Sequence, residues 1–423
     1  MKLLPSKKAM STMVTVVLIA VVVVAAFGVA WYIFAPKPVR AITGTVTVWH
    51  GLTGSEEVAA RTRITAFNKE YPNITVRFVW KPNLKETLKV AIPAGQGPDL
   101  FTWAHDWTGE FAAANLTLPI DNYVDQATKD LYFPAALSAG MYKGKLYALP
   151  IAAEAISLIY NKAFVQTPPE NTDQLIQLLN NPPTGAQYAL AHVAQNDPYH
   201  MYPWVTGFGG FYYNDTSGLV GLNTSGTIAA AQWFKDNVLP KLNPDLGYGS
   251  QTALFYEKKA AMMIGGPWTI GDVKKANISY GLALIPKLVP KNSIRPAPYL
   301  GVKVMWWTKN VKTENVEAVT VFMKWWCGVD NQIALAKVLG WVPVAEAAYE
   351  DPEIRDDPTI AGFGRQIEFA TPIPASPQMG EVWGPGGDAW GAVLSGAKSP
   401  QVAFQEAQDT AITNIKTKYG KYP

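Results

Sequence analysis

One cysteine in 423 residues excludes an internal disulfide, and Cys327 sits in the aromatic run Trp325-Trp326-Cys327, the setting of a buried thiol. Histidine is almost as scarce: the four, at positions 50, 105, 192 and 200, have no ligand spacing. No His-Glu-x-x-His, complete Walker loop, Gly-x-Ser-x-Gly or zinc-type cysteine pair occurs, so neither a metal nor a cofactor is expected. Low-complexity tracts and solenoid-length repeats are missing too, which leaves a globular chain with one specialised end. Beyond the first 43 residues, 31 basic and 33 acidic side chains give a balance of −2, and nothing suggests nucleic acid.

The specialised end is residues 1–40. Lys2, Lys7 and Lys8 precede residues 10–35, a stretch without a charged side chain. A helix of that length rises about 35 to 40 Å, more than the roughly 30 Å of bilayer hydrocarbon, so a transmembrane helix is expected, its basic side inside. Residues 1–9 then form a basic leader and 36–43 a tether. Five Asn-x-Ser/Thr sequons, at Asn73, Asn115, Asn214, Asn223 and Asn277, suit a surface protein but also arise by chance.

After the tether the sequence alternates strand and helix. Val46-Thr47-Val48-Trp49 is strand-like; Thr53-Gly54-Ser55-Glu56 has the form of a capping box, and Ala60, Ile64, Phe67 and Tyr71 lay an apolar stripe on the helix that follows. Ile74, Val76, Phe78 and Trp80 alternate as a strand, residues 84–91 read as a helix and 99–103 as another strand. The β-α-β-α-β order predicts an open, mainly parallel sheet covered by helices, with ligands at the carboxyl ends of its strands. Leu158-Ile159-Tyr160 and Ala260-Ala261-Met262-Met263-Ile264 are candidate strands of a second lobe.

Aromatic residues are abundant: 15 Trp, 19 Tyr and 16 Phe, several beside Gly, Pro or a carboxylate. Such rings suit sugars, whose C–H faces stack on an indole while their hydroxyls need acceptors and donors. Trp103 and Asp106 lie three apart at a strand end; core packing and a helix N-cap are their structural alternatives. Glu154, a lone acid among apolar neighbours, needs partners, either ligand hydroxyls or a salt bridge. Asp197-Pro198-Tyr199-His200, Gly266-Pro267-Trp268 and Trp383-Gly384-Pro385-Gly386-Gly387 offer further rings on expected loops, whereas Trp306-Trp307 and Trp325-Trp326 read as packing. Two carboxylates such as Asp106 and Glu154 also leave glycoside hydrolysis open.

Gly97-Pro98-Asp99-Leu100-Phe101-Thr102-Trp103-Ala104-His105-Asp106 resembles the hallmark stretch of maltose and maltodextrin-binding proteins, the extracellular solute-binding components of sugar ABC transporters. The run from Tyr142 through Pro150 and Glu154 to Lys162 is similar to that family's inter-lobe crossing, as are Gly265-Gly266-Pro267-Trp268, Tyr280-Gly281, Pro377-Gln378-Met379 and Trp383. The resemblance implies an α/β, periplasmic-binding-protein-like type II fold: two lobes joined by a multi-segment hinge, with residues 44–152 and 302–347 in the N-terminal lobe and 156–298 and 353–423 in the C-terminal lobe. It implies no reaction, permease subunits as partners, a monomer, and sugar contacts on Trp103, Asp106, Glu154, Asp197, Tyr199, Trp268 and Trp383. Trp107 replaces the family's usual arginine, no lysine stands in Gly51-Leu52-Thr53-Gly54, and Gly387 stands at a late arginine, so cationic donors are expected to be lost and Trp107 to add a plate. Trehalose, cellobiose or another oligosaccharide remain alternative ligands, and a surface glycan adhesin an alternative role. Lys7-Lys8-Ala9-Met10 resembles the class III leader of many archaeal binding proteins, cut before the apolar segment; removal of that segment near Ala30 is the competing outcome. The expected location is the cell surface, the binding domain extracytoplasmic.

Overall fold

The computed structural model describes residues 41–289 and 294–423. The expected leader and membrane helix lie outside the described residues, among which no helix is long and apolar enough to cross a membrane.

The alternating segments form as their patterns dictate. Strand β1 (Gly44–His50) leads to helix α1 (Gly54–Glu70), β2 (Ile74–Trp80), helix α2 (Leu84–Ala91) and β3 (Leu100–Ala104). In β2 the buried side chains are Ile74 and Phe78, with more exposed residues between, while α1 buries Ala60, Ile64 and Phe67 against the sheet. Helix α3 (Thr108–Ala113) follows a 3-10 turn, and β4 (Ala148–Glu154) carries the chain towards a second sheet.

That second sheet holds β5 (Ser157–Asn161), β6 (Tyr188–His192), β7 (Ala260–Gly265) and β8 (Tyr280–Ala283) in the order β8-β5-β7-β6, with helices α4 (Pro198–Gly207) and α5 (Ile270–Lys275) inserted between its strands. The chain returns to the first sheet through β9 (Tyr299–Trp307), β10 (Val342–Pro343) and β11 (Thr371–Pro372), then leaves again for helices α6 (Gly380–Leu394) and α7 (Pro400–Tyr419). Trp390, Phe404 and Ile415 of those last helices pack in one core with Leu158, Leu190 and Ile264 of the second sheet and with Ile156 just before it.

The first sheet runs β10-β4-β9-β3-β1-β2, with β11 beside β9. Only part of it is parallel. Strands β1, β2 and β3 run together as the β-α-β-α-β pattern requires, but β9 is antiparallel to both β3 and β4. Strands that cross between sheets come back in the opposite sense, so the mainly parallel expectation fails at that half of the sheet.

The helix start at residue 53 also differs from its sequence signature. Thr53 makes no side-chain cap, and Glu56 instead accepts from the Trp341 indole N–H at 3.0 Å. Asp272 of α5, a helix inserted in the second sheet, supplies the cap, accepting from the Ser55 N–H at 3.2 Å and its hydroxyl at 2.5 Å. Cys327 is buried, as are Trp306, Trp307 and Trp326, while Trp325 donates to Glu70 at the surface.

Candidate functional site

A cavity of about 540 Å³ opens where β3 and β4 of the first sheet face α4, the Pro267–Thr269 turn before α5, and α6. Seven of the eight side chains singled out in the sequence line it: Trp103, Asp106, Trp107, Glu154, Tyr199, Trp268 and Trp383. The eighth, Asp197, is not on its wall.

Asp197 is the N-cap of α4, its two carboxylate oxygens accepting from the His200 backbone N–H and from His200 Nδ1, each at 2.9 Å. Burial works against that charge, yet His200 outweighs it and holds the carboxyl below its ordinary value. A capping position consumes the acceptors a ligand would need, and it is His200 that reaches the cavity. Tyr199 starts the same helix, and Trp383 lies within α6; the expected loops are helix segments whose ends and faces turn to the cavity.

Trp103, next to last in β3, has 37% of its surface exposed and is the outer plate of an indole stack. Trp107 lies 5.4 Å behind it at 19° and packs in turn on Phe111 and Trp306 at 5.7 and 6.3 Å. A rigid buried backing holds the exposed ring in place. Opposite, Trp268 folds back over its own turn: a Cβ on Gly266 would meet that ring at 2.1 Å, so only glycine permits the pose. The Tyr199 hydroxyl is buried with no hydrogen-bond partner among the described residues, an uncommon condition for a polar atom in a cavity wall.

Asp106 sits in the turn His105–Trp107; burial raises its carboxyl to about 6, with Lys85 and the Trp383 N–H opposing that rise. His105 beside it points into the protein. Its Nδ1 accepts from the Val302 N–H at 3.0 Å, so Nε2 carries the proton and donates to the Ile373 carbonyl at 3.2 Å, tying the turn to β9 and to the segment after β11. Burial lowers the imidazole to about 4 and keeps it neutral.

Cations are present after all. Lys85 of α2 and Lys303 of β9 both line the cavity, correcting the expectation that positive donors are lost; they come from elements other than those carrying the family's basic positions. Lys303 Nζ lies 3.5 Å from Glu154 and 3.7 Å from Glu56, which also lines the wall. Burial would lower the ammonium, but the two carboxylates outweigh it and hold it above its usual value. Burial raises Glu56 to about 7 against the pull of Lys303. Sequence reasoning missed Lys85, Lys303, Glu56 and Tyr248. Lys303 had a readable signal, a single cation within the otherwise uncharged strand YLGVKVMWW, the same anomaly that drew attention to Glu154.

Flat aromatic plates, acids and ammonium groups in one inter-lobe cavity suit a neutral ligand with many hydroxyls. No group of three His, Cys, Asp or Glu able to hold a metal occurs among the described residues. Two sheets joined by repeated chain crossings, with such a cavity between them, define a two-lobed ligand-binding protein.

The chain belongs to the bacterial extracellular solute-binding protein family, whose description matches residues 62–362. It is 38% identical over 369 residues to a maltotriose-binding protein of Pyrococcus abyssi, covering 86% of this chain and 80% of that one. It is 30% identical over 386 residues to the maltodextrin-binding protein MdxE of Bacillus subtilis, covering 84% and 87%. Among solved structures it resembles the maltose/maltodextrin-binding domain MalE of Bdellovibrio bacteriovorus bound to maltotriose, with a TM-score of 0.82, 27% identity and coverage of 88% of this chain and 100% of that one. A maltotriose-binding protein of Thermus thermophilus is similar at a TM-score of 0.80, 28% identity and 88% and 100% coverage. The family recognised from the sequence motifs is thus the family the comparisons return, and its members are binding proteins, not enzymes.

Proposed function

We propose that this protein is the extracytoplasmic sugar-binding subunit of an ABC importer, capturing maltose or a short maltodextrin between its lobes and delivering it to the permease. The observation that carries the reading is the meeting of Trp103, Asp106, Trp107, Glu154, Tyr199, Trp268 and Trp383 around one cavity, although they are scattered over some 280 residues of sequence. In this reading the aromatic rings stack on pyranose faces and the carboxylates accept from hydroxyls, while Asp197 acts through His200. Residues 44–152 and 302–347 form one lobe, residues 156–298 and 353–423 the other, and sugar favours the closed arrangement because it touches both walls. Residues 10–35 anchor a monomer to the membrane with the binding domain outside, supported by the charge pattern of residues 1–40.

Trp268→Ala tests the assignment. Loss of a central stacking ring costs on the order of 2 kcal/mol, about a thirtyfold rise in the Kd for maltotriose by calorimetry. Undiminished affinity in that variant would remove Trp268 from the site.

A further inference from the structure

Lys303 is placed more deliberately than a counter-ion requires. It lies on β9, whose other residues are uncharged, and its side chain is 10% exposed. The strand's register against β4 slips between Lys303 and Val304, a bulge of the kind that re-aims side chains next to binding sites. Two residues earlier, and so on the same face, Gly301 pairs with Glu154; a Cβ there would stand 2.9 Å from Glu154 Cγ, so the glycine makes room for the carboxylate to lie over the strand beside the lysine. Glu56 is fixed from behind by the Trp341 N–H at 3.0 Å, and the face of the Trp341 ring lies 4.9 Å from the ammonium.

The distances within this triad are 3.5 and 3.7 Å, longer than the roughly 2.7 to 3.2 Å of an N–H···O hydrogen bond. The ammonium is therefore paired in charge while its three donors are not consumed at hydrogen-bond length by the carboxylates. Two acids facing one base also leave acceptor capacity in excess. A sugar hydroxyl fits both needs, because it accepts from a cation and donates to a carboxylate at the same time. A buried ion cluster gains little stability over an apolar replacement, so its place on a cavity wall suits a role towards a ligand.

We propose that Lys303 is a specificity-determining residue: its ammonium donates to a ring hydroxyl that in turn donates to Glu154 or Glu56, so the sugar ring at this wall must carry a free hydroxyl there. This assignment rests on the sugar-binding reading above. A ring deoxygenated or O-methylated at that position leaves a buried charged group unmatched and is rejected, whereas substitution on rings lying elsewhere is tolerated.

The test is calorimetric titration of wild-type and Lys303→Met protein with maltotriose and with a set of maltotrioses each lacking one hydroxyl. The expected result is that one deoxy ligand binds the wild type at least tenfold more weakly than maltotriose, and that Lys303→Met binds maltotriose at least tenfold more weakly yet no longer distinguishes it from that deoxy ligand. An unchanged affinity for maltotriose, or a drop by one common factor for every ligand, would overturn the role of Lys303 and leave it a structural counter-ion. Should Lys303→Met fail to fold, the double variant Lys303→Met/Glu56→Gln restores the charge balance and is read by the same criterion. Wild-type protein that binds none of these sugars contradicts the sugar-binding reading itself, whereas wild-type binding with no coupling to Lys303 contradicts this proposal alone.

Discussion

The side chains that line the cavity divide by how plainly the sequence announces them. Trp103, Glu154 and Trp268 stand out because each breaks its local pattern, and all three reach the cavity. Asp197 breaks its pattern too, but beside Pro198 it begins a helix, and a capping carboxylate spends its acceptors on the backbone. Lys85 and Glu56 escaped notice for the opposite reason: each fits an exposed or capping position in sequence, and only the packing of distant Glu110 and Trp341 shows otherwise. Asp106 supplies a prediction at this scale. Burial holds its carboxyl at about 6, so it is an ionised acceptor above that pH and a poorer one below it. Affinity for maltotriose should fall as pH drops from 7 to 5, and Asp106→Asn should bind weakly with a flatter profile over the same range; a wild-type affinity independent of pH would contradict the acceptor role.

Elements were more legible than their ends. Periodicity located α1, β2 and α2, and short apolar runs ahead of turn residues located β3 and β7; β9 was hidden because it is buried on both faces, shows no alternation and carries Lys303 and paired tryptophans that read as packing, while β10 and β11, strands of two residues, have no pattern at all. The cap of α1 could not be read locally, for Asp272 lies 217 residues from Ser55. Asp272→Ala removes that cap at a cost of about 1 kcal/mol and, with the bond joining the lobes as proposed above, should weaken maltotriose binding about fivefold. Binding unaffected in that variant would show the contact to be irrelevant to closure. A second junction ties α3 to α2 and α7, where buried Glu110 contacts Lys85 at 2.8 Å, Lys89 at 2.9 Å and Lys418 at 3.3 Å. Burial pushes Glu110 up, but Lys85 and Lys89 outweigh it and hold the carboxyl at about 2, below its ordinary 4.5. A depressed carboxyl contributes stability above about 4.5 that is lost as pH falls towards 2. Glu110→Gln should cost about 3 kcal/mol at pH 7 and flatten the stability profile between pH 4.5 and 2, as urea unfolding would show.

For the whole molecule, composition alone bounded the size of the chain and excluded disulfides, metal motifs and a basic nucleic-acid surface. A second lobe was already suggested by the runs at 158–160 and 260–264, but the repeated crossings were not readable from periodicity, because which strand joins which sheet is set by pairings across hundreds of residues; they entered through the family resemblance. A cavity built by both lobes implies that ligand stabilises the whole two-lobed body. Sugar at one hundred times its Kd should add about 2.7 kcal/mol to unfolding and raise Tm by several degrees in scanning calorimetry, with no such shift for a sugar that does not bind. The measurement that tests the central claim most directly is calorimetric titration of the purified protein with maltose, maltotriose, longer maltodextrins, trehalose and cellobiose. The account predicts tight binding of the α-1,4-linked glucans alone; tight binding of trehalose or cellobiose with none of the maltodextrins would contradict it.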